Sequence, residues 1–212
     1  MIYEIRTYDI KTGMVPEVEK RFAEAYQHRK KYSELAGFWH TEIGPLNQIV
    51  QLWPYKDIEE RARIRDAARQ DPHWPPKIYE FVTNMHSDIT ALAPCSPQPV
   101  TGNIGPYFEM RTYTVPPGGL DVAIENWEQA LPNRLQHSSL LGVWYTQIGA
   151  LNRWIHIWPY RSLEERMTIR GDMQTQGLWP PSAIARREGR PAAEYITQES
   201  KLLLAAKFSP VQ

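Results

Sequence analysis

Residues Gly37–Arg65 read GFWHTEIGPLNQIVQLWPYKDIEERARIR, and residues Gly142–Arg170 read GVWYTQIGALNRWIHIWPYRSLEERMTIR. The stretches align without a gap at an offset of 105, and 15 of the 29 positions are identical. The identities run from Gly37/Gly142 and Trp39/Trp144, through Gly44/Gly149 and Asn47/Asn152, to the Trp53-Pro54-Tyr55/Trp158-Pro159-Tyr160 triplets and Arg65/Arg170. A match of that length in one register marks an internal duplication, which divides a 212-residue chain into two units of about a hundred residues each.

Inside each copy the hydrophobic period decides the elements. Phe38–Ile43 and Gln48–Trp53 alternate and are joined by Gly44-Pro45-Leu46-Asn47, which predicts a β-hairpin. Asp57-Ile58-Glu59-Glu60 has the form of a helix N-cap with a glutamate three residues on, and Ser162-Leu163-Glu164-Glu165 keeps that chemistry with a different cap. Upstream, Tyr3–Ile10 reads as a strand. A helix follows from Pro16 to about Ala36, with Gly37 at its C-terminal end. Downstream, Trp74-Pro75-Pro76 is a rigid break before a short helical piece, and Asn84–Leu92 reads as a fourth strand. The second copy repeats the series: strand Tyr107–Val115, helix Gly119 to about Leu140 with Pro132 expected to kink it, the hairpin, a helix from Leu163, and Trp179-Pro180-Pro181. An insertion of about eight residues falls within Ser182–Glu194.

Each module therefore has the βαββαβ order of ferredoxin-like folds, in the α+β class. The expected organisation is residues 1–93 for the first module, a Pro-rich linker over 94–106, and residues 107–212 for the second. One such sheet carries helices on a single face, and two can cover their bare faces by packing against each other.

Composition narrows the function. The 24 basic and 24 acidic side chains balance, so no basic footprint for nucleic acid is present. The lone Cys95 allows no internal disulfide and fits a reducing compartment. Neither a membrane-spanning apolar run nor an N-terminal targeting segment is visible, and the expected location is cytoplasmic. There is no Gly-rich phosphate loop, no serine elbow and no HExxH, so no metal or cofactor is assigned.

The chain resembles the NIPSNAP family of the dimeric α+β-barrel superfamily. The resemblance rests on Tyr3-Glu4-Ile5-Arg6-Thr7-Tyr8, Gly37-Phe38-Trp39 and Trp53-Pro54-Tyr55. In the second module it rests on Phe108-Glu109-Met110-Arg111-Thr112-Tyr113, Gly142-Val143-Trp144 and Trp158-Pro159-Tyr160. It implies two tandem modules in a barrel arrangement, assembled as a homodimer or higher homo-oligomer, but no single activity. The superfamily includes cofactor-free monooxygenases, haem binders and small isomerases.

Strand alternation separates two faces. Tyr3, Ile5, Trp39, Val50 and Leu52 form the more apolar set, expected to meet the helices. The polar-aromatic set is then expected to line the space between the sheets, where a small hydrophobic or aromatic molecule would bind. His40 and His156 are the acid/base candidates there, because imidazole titrates near neutral pH. Arg6 and Arg111 would orient an anionic or carbonyl group, and Tyr8, Glu42, Trp53, Tyr113, Tyr145 and Trp158 would complete the wall. The chain is expected to bind such a molecule, and the superfamily resemblance implies that it could transform it without a cofactor, as a monooxygenase or isomerase does. The alternatives are a non-catalytic ligand- or partner-binding protein, binding through exposed loops such as Trp74-Pro75-Pro76, and a haem binder.

Overall fold

The computed structural model describes residues 1–212. The first module runs β1 (Ile2–Ile10), α1 (Val15–Arg29), β2 (Gly37–Ile43), β3 (Gln48–Tyr55), α2 (Ile58–Arg69) and β4 (Val82–Leu92). The second runs β5 (Tyr107–Thr114), α3 (Leu120–Arg134), β6 (Gly142–Ile148), β7 (Arg153–Tyr160), α4 (Leu163–Thr175), α5 (Pro181–Arg187) and β8 (Thr197–Ala205). The eight strands close into one barrel in the order β1-β3-β2-β8-β5-β7-β6-β4, so the barrel is completed within a single chain. Two antiparallel seams join the modules, β2 to β8 and β4 to β6, leaving neither sheet with an open edge.

The repeated residues have local reasons. Gly44 and Asn47 take φ of 111° and 57° at the hairpin, and Gly149 and Asn152 take 114° and 59°, a region open to glycine and tolerated by asparagine. At Gly37 a Cβ would lie 1.9 Å from the Trp39 ring, and at Gly142 2.6 Å from the Trp144 ring, so each glycine is the seat of the indole two residues on. Asp57 accepts from the Glu60 backbone N–H at 2.8 Å and Ser162 from that of Glu165 at 3.0 Å, which caps α2 and α4. Two helices are shorter than the sequence suggests. The first stops at Arg29, where the chain turns so that the Leu35 backbone N–H can donate to the Tyr26 hydroxyl. The third stops at Arg134, two residues beyond Pro132. No helix is long and apolar enough to cross a membrane.

The two sheet faces are reversed relative to expectation. Tyr3, Ile5, Trp39, Val50 and Leu52 meet Phe108, Met110, Trp144, Ile155, Ile157 and Leu203 in one buried cluster that fills the barrel. Tyr3 packs edge-on to Trp144 at 5.8 Å, and Trp39 lies 5.6 Å from Phe108. The polar-aromatic set points outward, under the helices. Alternation defines two faces but does not say which one is enclosed. A closed lumen gives a charge neither water nor a partner, so the charge-free face fills it. The helix side has edges where arginine heads reach solvent, and it takes the ionic groups.

Candidate functional site

Glu4 and Arg6 on β1 lie opposite Trp53 and Gln51 on β3, and all four face the helices. Glu4 is fully buried and accepts hydrogen bonds from Arg6 (2.5 Å), Arg61 of α2 (2.6 Å) and the Ser87 hydroxyl (2.7 Å), with Arg65 at 3.5 Å. Burial alone would raise its carboxyl. The Arg61 hydrogen bond and the charges of Arg6 and Arg65 outweigh burial and hold it at about 2. The second module builds the same cluster: Glu109 takes Arg166 (2.5 Å), Arg111 (2.8 Å) and Ser200 (2.8 Å), with Arg170 at 3.7 Å, and is likewise held at about 2 against its burial.

A second duplicated unit gives the Trp-Pro-Tyr triplet its purpose. Arg29, 2% exposed at the end of α1, donates to the Tyr55 hydroxyl (3.2 Å) and the Ser33 carbonyl (3.3 Å). Its guanidinium lies 4.6 Å from the Trp53 ring and 5.6 Å from the Trp74 ring, a cation held by two indole faces and no carboxylate. Arg134 repeats this with Tyr160, Trp158 and Trp179, and donates to the Ser138 hydroxyl where Arg29 uses the Ser33 carbonyl.

The modules differ in what fills the remaining space. In the first, a cleft of about 180 Å³ opens between the sheet, α1, α2 and the Trp74-Pro75-Pro76 corner. Arg6, Tyr8, Arg29, Gln51, Trp53, Arg65 and Trp74 line it, with Val82 and Met85 toward β4. Gln51, 1% exposed, accepts from the Trp53 indole N–H at 3.1 Å, and its own Nε2 amide has no partner. Tyr8 receives the Arg6 Nε–H at 2.7 Å.

In the second module larger side chains stand at the corresponding positions. Trp127 replaces Phe22, and strand register puts Tyr195 where the first module has Val82. The Trp127 indole donates to the Tyr195 hydroxyl at 3.4 Å, and the Tyr195 ring lies 4.8 Å from Tyr113, the copy of Tyr8. Burial pushes the Tyr195 phenol up to about 12. The inserted residues form α5 and the strap that follows, tied to α3 where Asn126 donates to the Pro191 carbonyl (3.0 Å) and accepts from the Ala193 N–H (2.9 Å).

The site residues read from sequence are thus divided. Arg6, Tyr8 and Trp53 line the first cleft; Arg111, Tyr113 and Trp158 occupy the filled second copy. None of them lines the barrel lumen, where the sequence reading put them. His40 also faces outward: its Nδ1 meets Glu19 of α1 at 2.7 Å, and that hydrogen bond raises its pKa. The repeat copies of this pair are Tyr145 and Ile124, which pack at the edge of an apolar cluster, so the ion pair holds a position that the other module holds by packing. Glu42 is exposed. His156 is buried, and desolvation lowers its pKa well below the usual imidazole value. Its Nδ1 accepts from the Trp158 indole at 2.6 Å, which puts the proton of the neutral ring on Nε2, and Nε2 is unpartnered. Neither histidine lines the open cleft.

Arg29 and Arg65 are not among the site residues the sequence suggests, and Trp74 enters only in the alternative reading, as part of an exposed binding loop. The signal was present, since each recurs in the second module as Arg134, Arg170 and Trp179.

Comparison with known proteins agrees with this organisation. The NIPSNAP family model matches residues 3–97 and again 108–210. Human NipSnap homolog 3A is 28% identical over 220 residues, spanning 100% of this chain and 86% of that protein. The Dictyostelium discoideum NipSnap homolog is 26% identical, over 98% of this chain and 88% of its own length. Among solved structures, a putative monooxygenase from Fusobacterium nucleatum superposes over 97% of this chain and 92% of its own, at a TM-score of 0.66 and 10% identity. At that identity the likeness is one of fold alone. With both halves matched by one family model and relatives aligned along its full length, the chain belongs to the NIPSNAP family, as a tandem of two of its domains.

Proposed function

We propose that the protein binds a small flat organic molecule bearing an oxygen acceptor, and that it does so in the first-module cleft between sheet and helices. The observation that carries this reading is the Gln51 amide. It is a buried donor with no protein partner, on a side chain that lines the cleft, and a native fold leaves such a group unsatisfied only at a cost of about 1–3 kcal/mol. A carbonyl, carboxylate or hydroxyl oxygen would satisfy it. The Trp53 and Trp74 rings would receive the flat body. Arg29 and Arg65 add positive charge beside the acceptor position, favouring ligands with a partial or full negative charge.

The test uses benzoate, 2-naphthoate and cyclohexanecarboxylate, titrated against the intrinsic fluorescence of the tryptophans. The aromatic acids should bind more tightly than the saturated ring, and Gln51→Leu should weaken them about tenfold, roughly one charge-assisted hydrogen bond. Equal binding by wild type and Gln51→Leu would remove the cleft from consideration.

A second reading, cofactor-free proton transfer or oxygenation of the bound molecule, is favoured by Tyr8. Its phenol lines the cleft with the Arg6 Nε–H on its oxygen, a placement suited to exchanging a proton with a ligand. The fold neighbour named as a putative monooxygenase is consistent with such chemistry on this scaffold. Tyr8→Phe should then keep binding and abolish turnover; loss of both together would mean that Tyr8 only shapes the cleft.

A further inference from the structure

Tyr195 occupies the second module's copy of the cleft. We infer that its ring is a built-in stand-in for the ligand, and that the first module takes a free single-ring phenol or aryl carbonyl edge-on to Tyr8. This deepens the reading above and rests on it.

Register fixes the comparison. Arg6 lies opposite Ser87 and Arg111 opposite Ser200, so β4 and β8 correspond at an offset of 113; carried two residues beyond the start of β8, that offset sets Tyr195 against Val82. Val82 lines the open cleft, whereas the Tyr195 ring meets Tyr113 at 4.8 Å with a 60° tilt. Replacing valine by tyrosine therefore accounts for one aromatic ring's worth of space. The first cleft, at about 180 Å³, exceeds the ~150 Å³ that suffices for an apolar cavity to hold benzene.

The polar groups follow the same logic. Residues 51 and 156 each accept an indole N–H through one atom and present a second, unpartnered buried nitrogen. In the second module the phenol oxygen takes its hydrogen bond from Trp127 instead. Phe22 offers no such donor in the first module, so a free ligand's oxygen must turn to the Gln51 amide. The strap pinned by Asn126 holds the tyrosine in place, which makes the second site permanently occupied and leaves one working site per chain.

The experiment is calorimetry with 4-methylphenol, the tyrosine side chain itself. Wild type should bind one equivalent per chain. The plug moved into the first module, Val82→Tyr with Phe22→Trp, should lose binding at least tenfold while melting as wild type does. The plug removed from the second, Tyr195→Val, should raise the stoichiometry toward two. Undiminished binding by Val82→Tyr/Phe22→Trp, or no binding of 4-methylphenol by wild type, would overturn the inference. If benzoate still binds in a Gln51-dependent way in those cases, the cleft reading stands without it; if neither compound binds, both fall.

Discussion

Glu4 and Glu109 show how a buried charge is kept. Each carboxylate is enclosed, yet each gathers three guanidinium groups and a serine hydroxyl, and the surplus positive charge leads out along α2 or α4 to solvent. Their folded pKa values lie below the unfolded ones. The stability they contribute is therefore present above the ordinary carboxylate range and is lost as pH falls from about 5 toward 2, on the order of 3 kcal/mol for each group. Glu4→Gln should remove about 3–5 kcal/mol at pH 7, because it strands Arg6 and Arg61, and it should flatten the acid limb of the denaturation profile. Urea melts at pH 7 and pH 4 check both. The His40–Glu19 pair has the opposite sign. Its imidazole pKa is raised, so its contribution is present below the usual histidine value and fades as pH rises through the higher folded value. Wild type should exceed Glu19→Gln in stability at pH 6 by under about 1 kcal/mol, and the gap should close by pH 9.

At the scale of the element, the repeat makes the hairpins, caps and chain order of elements legible from sequence, but not closure of the barrel within one chain. Gly44, Asn47, Asp57 and Ser162 each do what their residue type suggests. Gly37→Ala should cost more than an ordinary strand glycine substitution, about 2 kcal/mol or more, because the added methyl displaces the Trp39 ring from the lumen. A thermal melt of Gly37→Ala checks this, and because Gly37 is outside the left-handed region, the loss reads packing against the indole rather than backbone strain. The facing of the strands was not legible. Both faces of β1 and β3 are buried, and an alternating pattern with two buried faces carries no label for inside and outside. Sequence places Arg6 in the lumen for that reason, and only the arginines at positions 61 and 65, one helix away from its partner Glu4, show where the charge belongs. The open cleft was hidden for a related reason. It depends on Val82 against Tyr195, a difference visible only once the insertion before β8 is placed in register.

For the whole molecule, the barrel is the device that joins two half-structures. Each sheet buries its apolar face on the other, and seams β2–β8 and β4–β6 satisfy the strand edges. A fragment comprising residues 1–106 would expose both, so in light scattering it should not persist as a monomer; a stable monomeric fragment would show that the first module's core suffices alone. Trp39→Ala should destabilise the full chain by about 3–5 kcal/mol, since it empties the centre shared by both modules. It should leave ligand binding intact at temperatures where the chain is folded, because the lumen and the cleft lie on opposite faces of the same strands.

A crystal structure of the protein soaked with benzoate tests that separation. Ligand density is expected in the first module, with the carboxylate at the Gln51 amide beside Arg29 and the ring between Tyr8 and Trp74. Density inside the barrel, among Trp39, Phe108 and Trp144, would contradict it.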